Sequence, residues 1–207
     1  MLIFLDKQLV YLATPKTGTT AVETALRPRA EILFAKGRKH INAQRYRKKI
    51  APFIEDTFNC RPQTVASMRE PVEQIRSWYR YRARPQQDGN PKSTKGMSFD
   101  DFVMEVASGA PREFARIGSQ YAFLSDSNGN LLVDHLFAYE RQPRFRNFLS
   151  NRLEVPVELP QKNVSPTVDA PLSDEVYRYL RDVRAAEFEL YDQLLAADGY
   201  LKSDLLG

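Results

Sequence analysis

The sequence predicts an α/β fold, a single domain with a mostly parallel central sheet flanked by helices. Three observations carry that expectation. Short β-rich apolar runs alternate with helix-forming segments through the first half of the chain. The clearest of these runs end in turns of Pro, Gly or charged residues that open directly into helices, the order that sets helix N-termini at strand carboxyl ends. Finally, 207 residues, 43% of them hydrophobic, suffice for one buried core.

The elements follow in order. Residues 9–13 (LVYLA) form a short apolar run ending at Thr14-Pro15, which predicts a buried strand entering a loop. Residues 19–26 are good helix formers with Val22 and Leu26 four apart. Residues 32–35 (ILFA) predict a second strand, followed by a basic segment from Lys36 to His40. The stretch 43–58 predicts a basic helix with Tyr46, Ile50 and Phe53 facing inward. A third strand is expected over 64–68 and runs into Arg69-Glu70-Pro71, where Pro71 suits the first turn of a helix continuing past Arg76, Trp78 and Tyr81.

Residues 84–97 are rich in Pro, Gly and polar side chains and predict a long flexible loop. Ser98 with Asp101 three residues on predicts a capped helix start. The turn 126–130 precedes a strand predicted over 131–138. Ser173, Asp174 and Glu175 open a long terminal helix with Val176, Leu180, Val183 and Leu194 as its apolar positions. There is no internal repeat and no boundary in composition, so residues 1–207 read as one domain.

The formal net charge is +4 with a sequence pI of about 9.1. The whole-molecule field is therefore mild, and the location of the positive charge matters more than its sum. One cysteine, Cys60, excludes an intrachain disulfide and favours a reducing compartment. No signal-peptide pattern opens the sequence and no window has the apolar length of a membrane span, so a cytoplasmic protein without a membrane span is expected.

The stretch Thr14-Pro15-Lys16-Thr17-Gly18-Thr19-Thr20 is the most informative in the chain. It joins a glycine, several hydroxyls and a lysine at the start of a helix. Backbone N–H groups there point toward an anion, and the helix dipole favours negative charge. The nucleotide loop of kinases and ATPases, G-x-x-x-x-G-K-[ST], is not met, because the lysine precedes the glycine and the first glycine is missing.

A strand followed by P-K-T-G-T-T resembles the 5′-phosphosulfate loop of sulfotransferases that use 3′-phosphoadenosine 5′-phosphosulfate (PAPS), in particular the carbohydrate-type members similar to sulfotransferase family 2. The resemblance implies a sulfotransferase fold of the nucleotide-kinase-like, P-loop type. It also implies donor contacts from Pro15, Lys16, Thr17, Gly18, Thr19 and Thr20. The family binds the donor's 3′-phosphate with an arginine at a strand end and a serine eight residues later, and Arg69 with Ser77 match that spacing. Forked guanidinium contacts suit a phosphate. Residues 121–141 resemble the second half of the carbohydrate-type enzymes, and 159–165 the loop they fold over the nucleotide. Lys162, Asn163 and Ser165 are carried over as donor contacts from that loop.

The activity so implied moves a sulfuryl group from PAPS to a hydroxyl acceptor, with no metal. Lys16 would stabilise leaving-group charge. His40 resembles the base position of uronyl and related glycan sulfotransferases, with Glu23, Glu70 or Asp134 as alternative bases. His135, inside a predicted strand, reads as structural. Two basic stretches, Lys36 to Lys49 and Arg76 to Arg84, read as solvated helix faces or as the seat of an anionic, carbohydrate acceptor. Nucleic acid is not expected, since no recognition motif accompanies the charge. Two other classes remain open: a phosphate-loop kinase, and a non-catalytic module binding nucleotide or polyanion.

Overall fold

The structure, a computed structural model that describes residues 1–160 and 169–203, is built on a six-stranded mixed sheet in the order β3-β1-β2-β4-β5-β6. The strands are β1 (Leu2–Phe4), β2 (Leu9–Tyr11), β3 (Ile32–Leu33), β4 (Gln63–Met68), β5 (His135–Ala138) and β6 (Tyr200–Lys202). β2, β4 and β5 are mutually parallel. β1 is antiparallel to both β2 and β3, so β3 points the same way as the central three, whereas β6 runs against β5. Four strands thus share a direction and deliver their carboxyl ends to one edge of the sheet.

Nine helices accompany the strands among the described residues. They are α1 (Thr19–Leu26), α2 (Ala43–Arg45), α3 (Ala51–Phe58), α4 (Pro71–Arg82), α5 (Phe99–Ala107), α6 (Gln120–Leu124), α7 (Gln142–Leu153), α8 (Asp174–Val183) and α9 (Ala185–Ala196). None is long and apolar enough to cross a membrane.

Alternation along the strands sorts the core into two layers. Ile3, Val10, Leu12, Ala66, Met68 and Leu136 pack with Tyr46, Ile54 and Leu194 on one face. On the other, Leu2, Phe4, Tyr11, Val65 and Phe137 pack with Val22, Leu26, Phe145 and Leu149. A third cluster gathers Ile75, Tyr79, Phe102, Val103, Leu180 and Phe188 from α4, α5, α8 and α9 beyond the sheet.

The structure corrects the reading at several places. β1 and β6 were not expected. The strand expected over 131–138 is regular only from His135, with Leu131 in an isolated bridge to Ser125. The terminal helix breaks at Arg184, and Val183 is 49% exposed. The caps at Ser98 and Ser173 form as expected, each side-chain oxygen accepting from the backbone N–H three residues on.

Between α2 and α3 the chain turns as a π-helix, Tyr46–Ile50. Pro52 explains it: its ring cannot donate to the carbonyl of Lys48 and clashes with it, so the turn widens. Inward positions then fall at Tyr46, Ile50 and Ile54, four apart, and Phe53 rotates out to 55% exposure. The segment 84–97 is irregular as expected, yet it is tied to α4. Buried Thr94 donates its hydroxyl to the Tyr79 carbonyl, and the Tyr79 hydroxyl donates to Met97.

Candidate active site

All four co-directional strands feed the site. After β2 the chain stays paired to β4, Leu12 N–H donating to the Val65 carbonyl at 2.9 Å, and then turns sharply. Two left-handed residues make the turn, Lys16 (φ 69°) and Gly18 (φ 72°). Gly18 is required twice: for its backbone conformation, and because a Cβ there would lie 3.0 Å from the Tyr139 ring. A left-handed lysine costs about 1–2 kcal/mol. Neighbours hold it: Gln74 donates to the Pro15 carbonyl at 3.4 Å and Arg69 to the Lys16 carbonyl at 3.5 Å. α1 then begins with no side-chain cap and no acidic residue in its first turn. Its leading N–H groups are the ready anion site that such a helix start provides.

The loop forms one wall of a cavity of about 380 Å³. Pro15, Lys16, Gly18, Thr19 and Thr20 line it on that side. α4 supplies Ser77, Trp78 and Tyr81, with Arg84 just beyond it; the segment after the turn that follows β3 supplies Lys39 and His40, and the ends of β4 and β5 supply Arg69 and Tyr139. The two anchors read from the sequence, 15–20 and Arg69 with Ser77, therefore open into one space. Among the described residues four cations line it, and no carboxylate does. Thr17 is the exception in its loop: it is buried and its hydroxyl donates to the Thr14 carbonyl at 2.9 Å, so its side chain braces the turn instead of facing the cavity. Lys162, Asn163 and Ser165 lie outside the described residues.

Lys16 sits 5.2 Å from the Trp78 ring and 4.5 Å from the Tyr81 ring, over their faces. Burial, with the nearby Arg84, Arg69 and Arg82 charges adding to it, lowers its pKa to about 8. Arg69 is fixed by its backbone: its N–H donates to Gln120 and its carbonyl accepts from the same amide, both at 2.8 Å. Its guanidinium lies 5.0 Å from the Tyr139 ring and 3.5 Å from Glu73, and its buried Nε has no partner among the described residues.

His40 Nδ1 lies 2.6 Å from the Ala13 carbonyl. A carbonyl only accepts, so Nδ1 carries the hydrogen and Nε2 keeps its lone pair. Withdrawal from bulk water holds the imidazole below its ordinary pKa, outweighing the bond to Ala13, with the Lys39 charge lowering it further. The ring is therefore neutral at pH 7, with a proton-accepting nitrogen available.

The alternative bases are engaged elsewhere. Glu23 pairs with Lys39 at 3.4 Å, and Glu70 caps α4 through the Glu73 N–H. Asp134 is buried, accepting from the Thr64 N–H and hydroxyl at 2.7 and 2.6 Å and facing Arg47 at 3.7 Å. His135 bonds Tyr200 at 2.9 Å and Gln63 at 3.3 Å, as a structural histidine does.

The basic stretch on α4 divides. Buried Arg82 donates to the Glu113, Phe114 and Arg116 carbonyls, and Arg76 to Glu73 and the Ala170 carbonyl, so both are structural. Sequence reasoning missed Gln74, Gln120 and Tyr139. Gln74 had a readable signal: with Ser77, Trp78 and Tyr81 it marks one helix face at i, i+3, i+4 and i+7. The other two depend on tertiary packing. No family model matches the chain, and no curated protein or solved structure matches it either.

Proposed function

We propose that the protein is a cytoplasmic sulfotransferase that moves a sulfuryl group from PAPS to a hydroxyl acceptor, on a P-loop-type sulfotransferase fold. One observation carries this reading. One cavity, free of carboxylates among the described residues, joins an uncapped helix N-terminus and lysine to a second phosphate-type anchor, Arg69 with Ser77, and to a neutral histidine.

The roles follow from the chemistry. The loop N–H groups, Thr19, Thr20 and Lys16 would hold the 5′-phosphosulfate, and Arg69 and Ser77 the 3′-phosphate. The acceptor oxygen attacks sulfur in line, and the bond from sulfur to the 5′-phosphate oxygen breaks. The electron pair leaves on that phosphate, where Lys16 offsets the developing charge. The acceptor proton passes to His40 Nε2. Adenosine 3′,5′-bisphosphate and the sulfated acceptor are released.

Without magnesium, the bisphosphate at about 100 times its dissociation constant is expected to stabilise the fold by about 2.7 kcal/mol. For a chain of this size that raises Tm by about 5–10 °C. ATP with magnesium should shift it far less. Stabilisation by ATP with magnesium but not by the bisphosphate would replace this reading with the kinase one.

A further inference from the structure

The corner between β4 and α4, which carries Arg69, is held from behind by α9. Met68 makes the last ladder bond of β4, its carbonyl accepting from the Tyr139 N–H at 2.7 Å. Past that point the N–H groups of Arg69 and Glu70 have no strand partner among the described residues, and backbone groups withdrawn from water need one. Two side chains supply it. Gln120, at the start of α6, accepts from the Arg69 N–H and donates to the Arg69 carbonyl, both at 2.8 Å, as one more strand residue would. Glu140, just past β5, accepts from the Glu70 N–H at 3.0 Å.

Each of these side chains is fixed in turn by α9. The Gln120 N–H donates to Glu187 at 2.8 Å, and the Tyr191 hydroxyl donates to Glu140 at 2.7 Å. Glu187 and Tyr191 are four apart and so share one face of the helix. Gln120, Glu187 and Tyr191 are all buried. A carboxylate as deeply buried as Glu187 needs a cation, and Arg184 at the helix start provides it at 3.2 Å. Burial, with the bond to Glu140 adding to it, holds the Tyr191 hydroxyl far above its usual pKa, so it stays a donor. Gln120, Glu140, Glu187 and Tyr191 all stand outside the donor cavity.

The guanidinium of Arg69 is only loosely met, by Glu73 and the Lys16 carbonyl at 3.5 Å each, and its buried Nε has no partner among the described residues. Its aim into the cavity therefore depends on where the backbone at 69 and 70 is set. We infer that Glu187 and Tyr191, through Gln120 and Glu140, position Arg69 for the donor's 3′-phosphate, so that one face of α9 is a remote determinant of donor affinity. The inference rests on the PAPS reading for what Arg69 meets. The clamp itself is defined by its hydrogen bonds.

Calorimetry of the full chain with adenosine 3′,5′-bisphosphate and adenosine 5′-phosphate tests it. Gln120→Met keeps the length of the side chain and loses both bonds to Arg69. It should weaken the bisphosphate about tenfold, the loss of one well-aimed charge-assisted contact, and leave the 5′-phosphate within about twofold. Tyr191→Phe deletes one hydroxyl from an otherwise intact helix face, and it should shift the same ratio in the same direction by about threefold. In an Arg69→Ala background Gln120→Met should change neither affinity further, because residues that act through one another are not additive. Equal weakening of both nucleotides, a lowered Tm with both affinities unchanged, or a full effect that persists in the Arg69→Ala background overturns the inference. Wild-type protein that binds the two nucleotides alike counts instead against the donor assignment. Amide hydrogen exchange then reads the clamp by itself: Gln120→Met should lower protection of the Arg69 amide about tenfold, and unchanged protection overturns it.

Discussion

Replacing Lys16 by alanine should lower kcat by about 10²–10³-fold, the loss typical when one preorganised charge-stabilising group is removed from a cavity. Lys16 has no substitute at its position: Arg69 is clamped through its backbone by Gln120, and Lys39 is drawn to Glu23. A proton-linked effect accompanies the loss. With a pKa of about 8, part of the Lys16 population is neutral in the free protein at mildly alkaline pH. A bound anion favours the ammonium and raises that pKa, so binding takes up a proton above pH 8 and weakens as pH rises further. Calorimetry of bisphosphate binding at pH 8.5, in buffers of different ionisation enthalpy, should show net proton uptake in the wild type and none from this site in Lys16→Ala.

His40→Ala should lower kcat by about 10²–10⁴-fold, the usual contribution of a positioned general base, while bisphosphate affinity stays near wild type. The pH profile separates this role from a structural one. On the proposed mechanism the base works unprotonated, so activity should rise with pH through the His40 pKa, which its partly dehydrated position places below the ordinary histidine value. On the same mechanism Lys16 works protonated, so kcat/KM should fall through about pH 8. Donor binding raises the Lys16 pKa, so the alkaline limb of kcat itself should lie higher. In His40→Ala the acid limb should vanish. Rates near wild type with the acid limb intact would reject the assignment.

How far the sequence reaches depends on what fixes each feature. The 15–20 loop and α1 are set by local chemistry, and the expected limits of the helix match Thr19–Leu26. Arg69 and Ser77 are picked out only by the resemblance, which pairs an arginine at a strand end with a serine eight residues on; without it they read as an ion-paired arginine and a solvated helix serine. β1 and β6 are three residues each, too short for a period to mark them; β1 pairs with the adjacent β2, and β6 with β5 far back along the chain. The break at Arg184 has no Gly or Pro to announce it. There the guanidinium donates to the Val106 and Gly118 carbonyls and to Glu187, contacts made only in the folded chain. Phe53 is a different case. Pro52 was visible, and the phase shift it imposes moves Ile54 inward in its place. Arg82 looks like a solvated charge in sequence because its carbonyl partners lie more than thirty residues away.

Trp78, the sole tryptophan, lies against Lys16 on the cavity wall, so its fluorescence reports on occupancy. Titrating it with adenosine 3′,5′-bisphosphate, adenosine 5′-phosphate and adenosine 3′-phosphate measures the two anchors separately. Two anchors in one space predict that the bisphosphate binds at least tenfold more tightly than either monophosphate, and that Arg69→Ala removes the advantage over the 5′-phosphate alone. Equal affinities for all three, or an Arg69→Ala variant that keeps the full advantage, would contradict the shared site.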